Sequence, residues 1–105
     1  MTKTDELNCP VRKGLVLFEG KWNIRVLYEL IMQSPLRFGE LRKAIPDISN
    51  TMLASTLKSL EEKGLVTRTQ YNEIPPHVEY SLSESGQALV PIFDAIGDWG
   101  TKYLK

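Results

Sequence analysis

Residues 36–82 read LRFGELRKAIPDISNTMLASTLKSLEEKGLVTRTQYNEIPPHVEYSL, from Leu36 to Leu82. The punctuation of this stretch decides the fold. Pro46 stops a short helix, because proline carries no N–H and clashes with the turn before it. Ser49 can accept a hydrogen bond from the open amides of the next helix, Ser49 to Lys63, and Gly64 supplies left-handed backbone at its end. Two segments rich in β-branched and aromatic residues follow, Leu65–Tyr71 and His77–Leu82, separated by Asn72-Glu73-Ile74-Pro75-Pro76. Val78, Tyr80 and Leu82 alternate onto one face of the second segment. The order is helix, tight turn, helix, hairpin, which predicts a mainly α domain with a small β-hairpin wing: a winged helix-turn-helix.

The second helix of this unit has two different sides. Leu53, Leu57 and Leu60 recur at the spacing of one buried face. Thr51, Ser55 and Lys58 repeat the same spacing on nearly the opposite side. With Ser49 and Asn50 at the helix start, they form a row of short polar groups and one cation, suited to close approach to base edges and phosphates. An ordinary solvated face has the same composition; the helix-turn-helix setting favours DNA. Arg37, just before the first helix, is placed to reach a phosphate or to pair with Glu40. Arg68 in the hairpin is a wing cation or a plain surface residue.

Composition sets the outer limits. A chain of 105 residues with 42% hydrophobic and 25% charged residues is expected to form one soluble domain. No apolar run reaches the length of a membrane span, and the polar start Met1-Thr2-Lys3-Thr4-Asp5-Glu6 is unlike a secretory signal, so a cytoplasmic protein without membrane contact is expected. Net charge is zero, which disfavours nucleic acid as a partner, yet the charges are unevenly spread. Residues 36–70 carry six basic side chains against four acids, and residues 71–105 two against five. One cysteine and one histidine provide neither an internal disulfide nor a structural zinc site. No phosphate loop and no convergent acid, base and nucleophile set is present, so neither enzyme activity nor a cofactor is expected.

Outside the central unit, residues 1–8 read as a flexible arm, and residues 9–105 as the DNA-binding domain with its terminal helices. A helix begins at Asn8-Cys9-Pro10, with Val11, Leu15 and Phe18 on one face. Cys9 then sits at a helix start beside Arg12 and Lys13, a setting that favours a reactive thiolate, although a small buried side chain fits the same place. From Lys21 to Gln33, Ile24, Leu27, Tyr28 and Ile31 trace an apolar stripe, with Trp22 near its start as a core or dimer contact. His77 is expected at the edge of the core or in solvent. Ser83 is expected to cap a last helix in which Leu89, Ile92, Ile96, Trp99 and Tyr103 form a heptad-like seam kinked near Pro91. A small domain has little core left to cover such a seam, which predicts a homodimer built on it.

Cys9-Pro10, Gly20-Lys21-Trp22, Arg37-Phe38, Glu40-Leu41, Ile48-Ser49, Met52-Leu53, Leu60-Glu61, Gly64-Leu65-Val66, Arg68, Val78-Glu79-Tyr80, Gly86, Pro91 and Trp99 stand in an order and spacing that resembles the HxlR-type bacterial transcriptional regulators. The likeness runs from about residue 9 to residue 100. It implies a winged helix-turn-helix that dimerises through terminal helices and regulates transcription on double-stranded operator DNA, with an N-terminal cysteine that senses oxidants or electrophiles in some members. The chain departs from the pattern at Glu19 and Asp47, where glycine is usual, and at Asn50-Thr51, where a lysine is common. The competing reading is a winged-helix module for protein–protein interaction that binds no DNA.

Overall fold

The computed structural model describes residues 9–104. The arm expected over residues 1–8 lies outside the described residues. The elements are α1 (Pro10–Leu15), a short 3-10 turn (Val16–Phe18), α2 (Asn23–Met32), β1 (Leu36–Arg37), α3 (Phe38–Ala44), α4 (Asn50–Glu62), β2 (Val66–Tyr71), β3 (His77–Leu82), α5 (Glu84–Gln87) and α6 (Val90–Tyr103).

The core fills the space between α2, α3, α4 and the sheet. Val26, Leu27 and Leu30 of α2 meet Leu41 and Ile45 around α3, Ile48 of the turn, and Leu53, Leu57 and Leu60 of α4. Leu36 and Val66 close it from the strands. The three α4 leucines are thus the buried face that their spacing requires, with Thr56 buried beside them. On α2 the buried side is turned from the expected one. Val26 and Leu30 flank Leu27 in the core, whereas Tyr28 is exposed and stacks on Phe93 of α6 with ring centroids 6.4 Å apart. Apolar residues occupy more than half of the α2 circumference, so its sequence fits two adjoining stripes, and contact with α3 and α4 selects one. Trp22 packs against the core, with the Lys21 ammonium 4.6 Å from its ring centre.

The local signals of the central unit are realised. Ser49 Oγ accepts from the Met52 amide at 3.0 Å, and Gly64 takes φ +78° at the end of α4. The wing differs from a plain hairpin. Arg37 stands just before the first helix, as expected, but with Leu36 it is extended and forms a third antiparallel strand that was not foreseen, Leu36 opposite Tyr80 and Arg37 opposite Glu79. The sheet order is β1-β3-β2, with Val66 opposite Leu82 and Tyr71 opposite His77 at the two ends of the hairpin. As the central strand, β3 is half-buried along its whole length, so the alternation of Val78, Tyr80 and Leu82 does not appear as buried against exposed.

Both ends of the chain also depart from expectation. The first helix stops at Leu15 and tightens into the 3-10 turn, and Val11, Leu15 and Phe18 remain exposed. The last helix is two helices. Ser83 caps the short α5, its Oγ accepting from Gly86 N at 3.1 Å. Helix α6 begins afresh at Val90, with Pro91 in its first turn. Proline at that position starts a helix rather than kinking one, because the missing N–H would have no partner there. The Ser83 and Ser85 hydroxyls both donate to the Gly64 carbonyl, and Ser83 N donates to Leu65 O, which fixes α5 against the end of α4. Among the described residues no helix is long and apolar enough to cross a membrane.

Candidate nucleic-acid interface

Helix α4 carries the candidate surface. Thr51, Ser55 and Lys58 are exposed on the side away from Leu53, Leu57 and Leu60. Ser49 is also exposed, but its oxygen already accepts from the Met52 amide, so it secures the start of the helix while its O–H stays free to donate. Asn50, the first residue of α4, does not stand free either: Arg42 Nε of α3 donates to its Oδ1 at 2.8 Å. Sequence reasoning singled out Asn50 and passed over Arg42. Their separation of eight positions spans the turn, so no single-helix spacing links them.

The remaining two cations lie on the sheet. Arg68 is exposed on β2, an edge strand, opposite Tyr80 of β3. Arg37 is exposed on β1, the other edge. Glu40 does bond Arg37, at the backbone: Arg37 N donates to Glu40 Oε1 at 2.8 Å, which closes the start of α3. The acid facing the Arg37 side chain across the sheet is Glu79, its antiparallel partner, and directly opposed residues share a face. His77 Nε2 holds that carboxylate at 3.0 Å, while Nδ1 lies 3.5 Å from Glu73 and the imidazole stacks on Tyr71 at 4.7 Å between centroids. Thus His77 is a partly buried clamp at the base of the wing tip.

The other candidate residues sit on the terminal elements. Cys9 is half-buried and occupies the cap position of α1 without making a side-chain cap bond. None of the α6 residues is buried: Ile96 is 49% and Trp99 56% exposed, and Ile92 and Tyr103 are exposed beside them. Trp99 and Tyr103 lie against each other with centroids 5.6 Å apart. Leu89 precedes the helix and packs against the core. Between α1 and the start of α6 runs an apolar groove of about 590 Å³, lined by Val11, Leu15, Phe18, Leu65, Leu89 and Ile92 among others.

A helix-turn-helix whose second helix offers a polar outer face, followed by a small antiparallel sheet with an exposed edge cation, defines the winged helix-turn-helix class. Residues 17–105 match the HxlR-like helix-turn-helix family. The chain is 48% identical over 100 residues to the HTH-type transcriptional regulator YkvN of Bacillus subtilis (strain 168), an alignment that covers 95% of this chain and 84% of that one. Among solved structures, a protein described as a MarR-family transcriptional regulator from Porphyromonas gingivalis W83 superposes with a TM-score of 0.82 at 46% identity, over 91% of this chain and 93% of the other. The redox regulator HypR in its oxidised form superposes with a TM-score of 0.80 at 39% identity, over 92% and 99% of the two chains. The chain belongs to the HxlR-like helix-turn-helix family.

Proposed function

We propose that this member of the family binds operator DNA as a homodimer and regulates transcription without catalysing a reaction. The observation that carries the reading is the two-sided α4: Thr51, Ser55 and Lys58 exposed opposite a wholly buried leucine face, at the place where winged helix-turn-helix proteins insert a helix into the major groove. Arg37 and Arg68, on the two edge strands of the sheet, would bind the phosphates that flank that groove. Ser49 and Asn50 would approach the backbone or bases at the N-terminal end of α4.

The homodimer reading rests on Ile92, Ile96, Trp99 and Tyr103, which stay exposed along a helix without a single buried residue, with Leu89 at its foot. A second copy covering this seam would present two α4 helices to half-sites about 34 Å apart, or a multiple of that. Control by thiol chemistry at Cys9 is supported by likeness to HypR, a redox regulator solved in an oxidised form. With one cysteine in the chain, an oxidised Cys9 would be resolved by the second copy's Cys9 or by a small-molecule thiol.

The experiment is a salt titration of binding to random-sequence duplex DNA, followed by footprinting on the region flanking the protein's own gene. A steep fall of affinity with salt and a protected site are expected. A flat salt response would overturn the DNA reading in favour of a protein-interaction module. For Cys9, operator binding is titrated against diamide and a quinone with native protein and Cys9→Ser. A response of the native protein alone is expected, and equal responses of the two proteins would reduce Cys9 to a structural residue.

A further inference from the structure

A carboxamide has an acceptor end and a donor end, whereas a guanidinium only donates. Arg42 Nε donates to Asn50 Oδ1 at 2.8 Å, which points the oxygen back toward α3 and the Nδ2 amino group, with its two hydrogens, away from it. The opposite rotamer would set Nδ2–H against Nε–H, donor on donor, so the guanidinium dictates which end of the amide is free. Arg42 is half-buried while Asn50 is exposed, so the anchored partner orients the solvent-facing one. The contact also ties the first residue of α4 to α3.

We propose that Arg42 is a positioning residue that makes Asn50 a donor toward DNA. This rests on the operator-binding reading above. An unrestrained asparagine in the major groove reads adenine with both ends of its amide, oxygen to N6–H and nitrogen to N7. Arg42 already occupies one of the two Oδ1 lone pairs, which weakens that paired readout and leaves the Nδ2 end as the freer group. Asn50 then engages acceptor atoms through Nδ2, either a phosphate oxygen or the O6 and N7 edge of guanine.

The test measures affinity and base preference on a library of randomised duplexes, for the native protein, Asn50→Ala, Arg42→Met, Arg42→Lys and the Arg42→Met/Asn50→Ala pair. Asn50→Ala is expected to weaken binding about three- to tenfold, the range of one hydrogen bond. Arg42→Met should lose a similar factor, and the pair no more than either alone, because both changes remove one unit. Arg42→Lys, which can still donate to Oδ1, should retain the native preference. A loss confined to duplexes with guanine at one position in each half-site identifies a base contact, and an equal loss on all sequences a phosphate contact; either supports the donor role. Release of the amide in Arg42→Met should admit adenine at the base position. Native selection of adenine that Asn50→Ala abolishes, or losses that multiply in the pair, would overturn the proposal. The contact is also read without DNA, as a slowly exchanging Arg42 Nε–H resonance that disappears in Asn50→Ala. Absence of salt-dependent binding by native protein, with that resonance present, sinks the operator reading and this inference together. Native binding with that resonance absent sinks this inference alone.

Discussion

Lys58 and Arg68 stand on different elements and make no ion pair among the described residues. Both are therefore available to phosphates. Lys58→Ala and Arg68→Ala are each expected to weaken binding to every sequence and to reduce the slope of log affinity against log salt by about one unit. Fluorescence anisotropy on random duplexes across a salt series checks this, and unchanged slopes in both variants would remove the proposed docking mode. Arg37 has a different neighbourhood, because Glu79 faces it across the sheet and His77 holds the carboxylate at 3.0 Å. Glu79→Gln removes a negative charge beside a candidate phosphate contact and should raise DNA affinity about two- to fivefold, the scale of an exposed charge pair. His77→Ala releases the same carboxylate and should lower affinity by a similar factor; titrations of the two variants moving in the same direction would refute the clamp. Glu40 was legible as the partner of Arg37, three residues away, although the bond is to the backbone. Glu79 was not, since the pairing of β1 with β3 joins residues far apart in sequence and depends on a register that no local pattern carries.

Among elements, the best-read boundaries are those with a local chemical cause: Pro46 after α3, the Ser49 cap and the left-handed Gly64. Ser49→Ala removes the acceptor for Met52 N and should destabilise the fold by about 1 kcal/mol. The elements missed or misplaced owe their shape to packing. Strand β1 has only two residues, too few for any periodicity. The stripe on α2 was turned because neighbouring elements, not its own sequence, choose among its apolar residues. The heptad-like spacing through Leu89 concealed a break between α5, held by its contacts with the end of α4, and α6, which Pro91 starts afresh. Gly86 lies so close to the Leu65 carbonyl that an added Cβ would collide with that oxygen and press on Leu82 Cδ2 at 3.1 Å. Gly86→Ala should therefore force α5 off the end of α4 and cost about 1–3 kcal/mol, as overpacking does. Urea unfolding measures both substitutions, and a Gly86→Ala midpoint equal to the native one would mean the junction is slack.

For the whole molecule, the radius of gyration is 15.7 Å and the extents are 56 × 37 × 24 Å, against about 13 Å expected for a compact chain of 100 residues. Both terminal helices lie at the surface: neither α1 nor α6, the latter about 21 Å long at 1.5 Å per residue, has a buried residue, although Phe93 of α6 packs against the core. Ile96→Asp with Trp99→Asp places two charges in the seam and should yield a folded monomer that no longer binds operator, since a covered carboxylate without a partner is strongly disfavoured. Sedimentation at several concentrations checks it, and a double variant that still dimerises would place the interface elsewhere. The exposed seam also reaches beyond DNA recognition. Were a second copy to cover α6 as proposed, part of the fold's stability would come from mass action, and the melting temperature should fall on dilution. In a cell, newly made copies at low abundance would then be open to proteases that spare the paired form, and the number of molecules present would itself help to decide how long each one survives.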